Sequence, residues 1–239
     1  MQKLSSLTAV LPCYNEKASI EAAVRSLYAE AGKLSSDFEL LAVDGNSADG
    51  TLELLRSLEK ELPQLRVLVQ PRDKRGHGRA LLLGYAAASK DWIFQTDSDA
   101  QFDITELPKL AQYADKLDFI SGIRTPRRDP PARLLLTAAI KSVIFLVSGV
   151  RLKDPNCPFR LMRVCAIKPL LARIPDDTVA PNIFLSILAA TGGLRRAEVP
   201  VTHLPRKDEV KRQRMTKLAL KGLIQLIRFR PVWPRNPAQ

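Results

Sequence analysis

The sequence predicts an α/β protein with three layers, in which helices cover both faces of a mostly parallel β-sheet. Short apolar runs alternate with segments of helical periodicity along the first half of the chain, which is the pattern of such a sheet. Polar residues follow the apolar runs, and open parallel sheets bind ligands at the carboxyl ends of their strands. With 239 residues, 46% of them hydrophobic, the chain is long enough for one sizeable domain.

The first half of the chain is predicted to contain alternating strands and helices. The apolar runs are bounded by proline, glycine or charged residues, and the segments between them place leucine, valine and alanine at intervals of three and four. The predicted strands cover residues 7–11, 38–43, 65–69, 92–94 and 118–121, and the helices cover residues 19–27, 52–58, 80–88 and 104–114.

The second half is predicted to be less regular. Residues 134–147 are apolar except for Lys141, but 14 residues fall short of the roughly 20 that a membrane-spanning helix needs. This helix is therefore either buried or lies in a membrane interface. Pro155 and Pro158 exclude a helix from residues 153–163, which are predicted to form a loop. The remaining predicted elements are a helix at 181–190 and a strand at 198–202.

An acidic segment follows the apolar run that begins at Trp92. Asp97, Asp99 and Gln101 are spaced by two residues, and on an extended backbone such side chains lie on one face. Two carboxylates and an amide oxygen are ligands that suit Mg²⁺ or Mn²⁺, hard ions that also keep water and substrate phosphate in their shell. An ordinary acidic turn is the alternative interpretation.

A basic, glycine-containing loop precedes the helix predicted at 80–88. Backbone N–H groups and cationic side chains at such a position can bind a diphosphate. A solvated turn is the alternative, and the loop matches neither the Walker motif nor the full dinucleotide-binding fingerprint. The residues concerned are Lys74, Arg75, Gly76, Gly78 and Arg79.

The net charge of +12 is concentrated near the C-terminus. From residue 195 onward the chain has twelve lysines or arginines against three acids, so we expect a polyanionic partner: nucleic acid, anionic lipid or a phosphorylated substrate. Residues 214–228 predict a basic amphipathic helix, which either lies on a membrane surface or packs on the domain. Its polar stripe consists of Arg214, Lys217, Lys221, Gln225 and Arg228.

The expected compartment is the cytoplasm. The N-terminus lacks the apolar core of a signal peptide, and the three cysteines have no metal-binding spacing and cannot all pair. We therefore expect them to be reduced thiols.

Four short motifs lie at residues 12–16, 43–51, 76–80 and 97–101. In order and spacing they resemble the motifs of family-2 glycosyltransferases of the GT-A fold. A further pair, at residues 122–124 and 154–161, resembles the dolichol-phosphate mannose synthase branch, and the similarity covers roughly residues 7–206. One departure is that the family often has two aspartates where this chain has Asp44 and Gly45.

The resemblance implies a Rossmann-like GT-A domain at residues 1–206, with a nucleotide-sugar half up to about 124 and an acceptor half at 125–206. Residues 207–239 are then a basic tail containing the amphipathic helix. The implied reaction moves a sugar, usually with inversion, from GDP-mannose or a UDP-sugar to a dolichyl or undecaprenyl phosphate. It uses Mg²⁺ or Mn²⁺ at the inner face of a membrane, with no nucleic acid partner.

The resemblance also implies roles for individual residues. The metal ligands are expected to be Asp97, Asp99 and Gln101. The nucleoside and the diphosphate are expected to contact Pro12, Tyr14, Glu16, Asp44, Gly76 and Gly78. The anionic groups at the reacting centre are expected to contact Arg124, Arg160 and Arg206, and the catalytic residues are expected to be Asp99, Asp154 and Arg160.

Two other functions remain open from the sequence. One is a glycosyltransferase that acts on a sugar hydroxyl of a glycan or glycolipid, for which Asp154 is the candidate base. The other is an inactive protein that binds lipid or RNA through its basic tail, although the intact acidic segment argues against it.

Overall fold

The computed structural model describes residues 3–126, 131–204 and 215–228, and it describes the backbone alone at 131–136 and 215–220. Arg206 and Arg214 therefore lie outside the described residues. The strands are β1 (Leu7–Cys13), β2 (Phe38–Asp44), β3 (Leu65–Val69), β4 (Trp92–Gln95), β5 (Phe119–Thr125), β6 (Arg160–Arg163) and β7 (Arg196–Thr202). The helices are α1 (Ile20–Leu34), α2 (Thr51–Glu61), α3 (His77–Ala87), α4 (Leu107–Ala111), α5 (Pro131–Ser148), α6 (Val164–Leu171), α7 (Pro181–Thr191) and α8 (Met215–Arg228).

The seven strands form one sheet in the order β3-β2-β1-β4-β6-β5-β7. β6 is antiparallel to both of its neighbours, and the other neighbouring pairs are parallel. β1 pairs in register with β2 and β4 from Leu7 onward, so the loops that follow these three strands emerge at the same edge. This topology confirms the predicted three-layer, mostly parallel α/β fold.

The sheet separates two hydrophobic cores. β1 is buried along its whole length, as expected for a strand covered on both faces. Ala9 and Leu11 belong to the core under α1, α2 and α4, whereas Val10 belongs to the core under α3, α5, α6 and α7. This alternation follows from the two-residue period of a strand.

The predicted loop at 153–163 is wrong at its end, because Arg160–Arg163 form strand β6. The two prolines exclude a helix there, but they lie before the residues that pair with β4 and β5. Helix α6 was not predicted, and residues 104–106 form a 3₁₀ turn before the short α4. The pairing of β6 depends on two distant strands, so no local pattern indicates it.

Helices α5 and α8 contact each other and both leave apolar side chains exposed. In α5, Ile144 is buried while Leu146 is 74% exposed. In α8, Leu226 is buried and Gln225 bonds to the segment before α7, whereas Ile224 is exposed. No helix within the described ranges is long and apolar enough to cross a membrane.

Candidate active site

A cavity of about 990 Å³ opens where β1 and β4 end. Its walls are the loop after β1, the first turns of α1 and the segment after β4, so it lies at the carboxyl edge where an open α/β sheet binds ligands. Polar lining residues include Asn15, Glu16, Lys17, Ser19, Asp49, Thr96, Asp97, Asp99 and Asp103.

The loops after β1 and β2 hold each other in place. Asn15 has a positive φ of 53°, which is uncommon outside glycine, and its backbone N–H donates to Ser47 Oγ at 2.9 Å. Its side-chain oxygen accepts from the Ala48 N–H at 2.9 Å. These contacts fix the position of the cavity wall before any ligand binds.

Asp49 is a cavity residue that the sequence analysis did not single out. Its carboxylate accepts hydrogen bonds from Thr51, at the start of α2, and from the Lys17 N–H. Desolvation by partial burial acts to raise the pKa of Asp49, but these hydrogen bonds outweigh it and hold the pKa below its ordinary value. Asp-Gly-Thr is a sequence typical of a turn in which an aspartate accepts from the N–H two residues on, and this signal could have identified Asp49.

Asp44, which was expected to contact the nucleoside, instead bonds to the loop after β2. Asp44 is fully buried, and both carboxylate oxygens accept from the Ser47 N–H, at 3.1 and 2.9 Å. Asp44 therefore shapes the loop after β2. Pro12 likewise lies buried inside β1, while Tyr14 is 45% exposed beside Gly45. A Cβ atom at Gly45 would lie 3.1 Å from Tyr14 Cδ2, so glycine leaves room for this ring.

Asp97 and Asp99 are brought together with the loop after β1, because both line the cavity. Both are partly exposed, and the His77 Nε2 atom lies 3.9 Å from Asp97 Oδ1. Between them and Gln101, Ala100 has a positive φ of 54°. Unusual backbone conformations of this kind cluster at functional sites.

Gln101 is more enclosed than the two aspartates. Its side-chain nitrogen donates to the Leu204 carbonyl at 3.3 Å, and its backbone carbonyl accepts from the Leu204 N–H at 2.9 Å. These bonds attach the acidic segment to the residues after β7. Gln101 as a metal ligand stays a prediction.

The cavity is strongly acidic. Its lining includes five carboxylates and one ammonium group, that of Lys17. Within the described parts of the chain, no group of three or more histidine, cysteine or acidic side chains is arranged to hold a metal by itself. Thr96 adds a buried hydroxyl to the wall, and that oxygen has no hydrogen-bond partner among the described residues.

The glycine loop is held by contacts within the fold. The Gly76 N–H donates to Gln70 Oε1 at 3.2 Å, so this N–H is not directed at a diphosphate. Gly76 has a φ of +146°, which explains the glycine. Gly78 packs against the segment before α7, since a Cβ atom there would lie 2.0 Å from the Thr178 carbonyl oxygen. The buried Gln70 organises the loop, and diphosphate binding by the loop stays a prediction.

Arg124 and Asp154, for which the sequence analysis predicted contacts at the reacting centre, bind each other. Arg124 Nε is 2.7 Å from Asp154 Oδ2, its Nη2 is 2.8 Å from Oδ1, and both side chains are buried. Glu198 accepts from the Asp154 N–H and so fixes the loop that carries this aspartate. The bidentate pair engages the carboxylate that the alternative function would use as a base.

Arg160 is placed elsewhere than predicted. Its side chain is fully buried, and its five N–H groups donate inside the fold. The acceptors are the carbonyls of Pro155, Cys157 and Asn182 and the hydroxyl of Ser186. Desolvation by complete burial lowers the pKa of Arg160. We therefore assign Arg160 a structural role and withdraw it as a phosphate ligand and catalytic residue.

Comparison with known proteins agrees with this geometry. The model of glycosyl transferase family 2 matches residues 8–168. An undecaprenyl-phosphate 4-deoxy-4-formamido-L-arabinose transferase from Salmonella paratyphi A is 27% identical over 209 residues, which are 85% of this chain and 61% of the relative. The chain thus spans less than two thirds of the length of that relative.

Solved structures share the fold at low sequence identity. Glucosyl-3-phosphoglycerate synthase from Mycobacterium tuberculosis in complex with UDP superposes with a TM-score of 0.72 at 20% identity, covering 96% of this chain and 81% of that one. A mannosyltransferase from Pyrobaculum calidifontis in complex with GDP-Man and Mn²⁺ has a TM-score of 0.70 at 20% identity, covering 97% and 65%. The family match covers well over half of the sequence, and the chain belongs to glycosyl transferase family 2.

Proposed function

We propose that this glycosyltransferase uses a divalent metal and a nucleotide-sugar, a GDP- or UDP-sugar, to glycosylate a polyprenyl phosphate. The observation that carries the proposal is the acidic cavity, where Asp97 and Asp99 meet the loop after β1. The relatives named undecaprenyl-phosphate transferases support the acceptor class, and the Mn²⁺ complex of a structural neighbour supports the metal.

The donor set of the cavity fits a metal that is completed by its substrate. A nucleoside diphosphate is anionic, so a cavity with five carboxylates repels it unless a cation lies between them. Two carboxylates leave room in an octahedral shell for water and phosphate oxygens, as Mg²⁺ and Mn²⁺ require. Asp97 and Asp99 would hold the ion, which would stabilise the charge that develops on the departing diphosphate.

Residues of the loop after β1 also fit donor recognition. Tyr14 presents an exposed aromatic face next to the loop after β2, which suits stacking on a base or sugar. The exposed Lys17 ammonium group is available to anionic parts of the donor. Glu16 and Asp49 fix the same wall.

A phosphate acceptor agrees with the state of Asp154. A phosphate is ionised at neutral pH and attacks without a strong base, whereas a sugar hydroxyl needs one. Asp154 already accepts three hydrogen bonds from Arg124, which makes it a poor general base. Arg124 and Arg206 remain proposed contacts for anionic groups.

The exposed surface of α5 and α8 suits peripheral contact with an anionic membrane. Phe145 and Leu146 of α5 and Ile224 and Ile227 of α8 are exposed on helices that touch each other. Lys221 and Arg228 are exposed on the same helix as the two isoleucines. Apolar side chains flanked by cations are typical of interfacial helices. Gln225 belongs to the face of α8 that packs on the domain, and the proposed membrane contact uses the exposed face of the same helix.

The test compares two acceptors that differ only in the phosphate. Undecaprenyl phosphate and undecaprenol are each incubated with a panel of GDP- and UDP-sugars and Mn²⁺, with and without EDTA. We expect transfer to the phosphate alone, abolished by EDTA. Equal transfer to a phosphate-free sugar acceptor would favour the hydroxyl-directed enzyme instead. Lipid binding without turnover of any donor would favour the inactive binding protein.

A further inference from the structure

A buried polar network lies directly beneath the acidic segment. It joins Tyr85 of α3, Gln95 at the end of β4 and Asn182 in the first turn of α7. The three side chains are 2%, 0% and 3% exposed. Buried polar groups destabilise a core unless they are fully paired, and a satisfied network fixes the positions of its members.

The network fixes the orientation of the Gln95 amide. Gln95 Oε1 accepts from Asn182 Nδ2 at 3.1 Å and lies 3.2 Å from the Tyr85 hydroxyl. The same hydroxyl lies 2.9 Å from Asn182 Oδ1. With the amide oxygen held in the core, the Nε2 donor must point the other way.

The donor that points outward meets Asp97. Gln95 Nε2 lies 3.4 Å from Asp97 Oδ1. The reversed amide would place its carbonyl oxygen against this carboxylate, and two acceptors at that distance repel each other. Desolvation raises the pKa of Tyr85 well above its ordinary value, so the phenol stays protonated and remains a hydrogen-bond donor.

We propose that Gln95, held by Tyr85 and Asn182, is a positioning residue that orients the Asp97 carboxylate for the divalent metal. This inference rests on the proposed metal-dependent function. Partners of this kind set the direction of a metal ligand, and their loss typically weakens metal affinity by about 10- to 100-fold.

The network also reaches the acceptor side. The backbone carbonyl of Asn182 accepts from Arg160 Nη1 at 3.2 Å. Arg160 Nη2 donates to the backbone carbonyl of Pro155, next to Asp154. Arg160 thereby sets the position of the first turn of α7, which carries Asn182. This gives the buried arginine a part in the site that does not need contact with substrate.

The test measures Mn²⁺ affinity by electron paramagnetic resonance of the unbound ion, in the presence of GDP or UDP. Gln95→Met keeps the side-chain length and removes the amide, and Tyr85→Phe removes one hydrogen bond from the network. Tyr28→Phe is the matched control, because Tyr28 donates to a glutamine, Gln64, away from the cavity. Asp97→Ala reports whether the measured ion uses the proposed site.

We expect Gln95→Met to raise the dissociation constant of Mn²⁺ about tenfold, Tyr85→Phe to raise it by a smaller factor, and Tyr28→Phe to leave it unchanged. In transfer assays the Mn²⁺ concentration for half-maximal rate should rise, while the KM for the donor at saturating Mn²⁺ stays near the parent value. A purely structural role of Gln95 would not raise the Mn²⁺ requirement while leaving the KM for the donor unchanged.

A change of less than about threefold with Gln95→Met overturns the inference, and the same threshold applies to Tyr85→Phe if Gln95→Met does not fold. An equal change with Tyr28→Phe also overturns it. If the parent protein takes up no Mn²⁺, or if Asp97→Ala binds it normally, the metal site itself is wrong and both proposals fall. If the parent binds Mn²⁺, Asp97→Ala does not, and Gln95→Met binds it as the parent does, the positioning role is wrong while the metal site stands.

Discussion

Two clusters of charged residues in this protein look equivalent in sequence and are opposite in structure. Asp97 and Asp99 carry like charges and face an acidic cavity. Arg124 and Asp154 carry opposite charges and are buried against each other. Like charges that converge on a cavity are unfavourable until a cation binds, whereas an ion pair is already neutralised inside the fold. We therefore propose that the first cluster binds a ligand, whereas the second is held together inside the fold.

The largest expected effect is at the first cluster. Asp99→Ala should lower transfer about a thousandfold, because a metal supplies several kcal/mol of charge stabilisation. Asp97→Ala should be similarly severe. Stability should change little, since neither side chain is buried in the core. Turnover at limiting Mn²⁺ and thermal unfolding are the measurements, with the exposed Asp115→Ala as control. Near-normal turnover of Asp99→Ala would remove Asp99 from the metal site.

The second cluster should behave in the opposite way. Arg124→Met alone removes the guanidinium that neutralises the buried Asp154 carboxylate and should destabilise the protein by about 3 kcal/mol or more. The double variant Arg124→Met with Asp154→Leu should recover much of this loss, because neither charge remains. Urea unfolding of the parent, the two single variants and the double variant gives the coupling energy. If the double variant loses as much free energy of unfolding as the two single variants together, Arg124 and Asp154 do not stabilise each other.

A smaller effect is expected at the surface of α5 and α8. Replacing Lys221 and Arg228 by glutamate should weaken binding to anionic vesicles more than tenfold at low salt, since each cation near such a surface contributes about 1 kcal/mol. Lys60→Glu with Lys116→Glu is the matched control, because both lysines are exposed and lie near α2 and α4, on the other side of the sheet. Vesicle co-sedimentation at two salt concentrations measures the difference. Equal losses in both double variants would place the contact elsewhere.

The smallest effect is expected within the acidic segment itself. Gln101→Ala should lower transfer only a few-fold, about three- to tenfold, because a neutral amide contributes less to a divalent ion than a carboxylate does. The side chain also bonds to Leu204, so a modest loss of stability should accompany it. Transfer rates across a Mn²⁺ titration separate the two effects. A loss as large as that of Asp99→Ala would make Gln101 a full ligand.

The glycine loop shows where local sequence was informative and where it was not. A turn before α3 was predicted correctly from Gly76 and Gly78. The backbone requirement for glycine could not be predicted, because the positive φ of Gly76 and the 2.0 Å approach of a backbone oxygen to Gly78 depend on how the loop packs on Gln70 and Thr178. Glycine signals a backbone requirement, and the partner that creates the requirement is distant in sequence.

The sequence by itself determined the alternation of strands and helices and the positions of Asp97 and Asp99. Both depend on periodicity and spacing along a continuous stretch of chain, which the backbone geometry converts directly into faces and ends. Only the tertiary structure decided which charges face the cavity and which are paired inside the fold. Asp154, Arg160 and Asp44 have the same chemistry as the acidic and basic residues of the cavity, but β5, α7 and the loop after β2 supply partners that bury them. A charged side chain shows its role through what surrounds it, and those surroundings are assembled from segments far apart in the sequence.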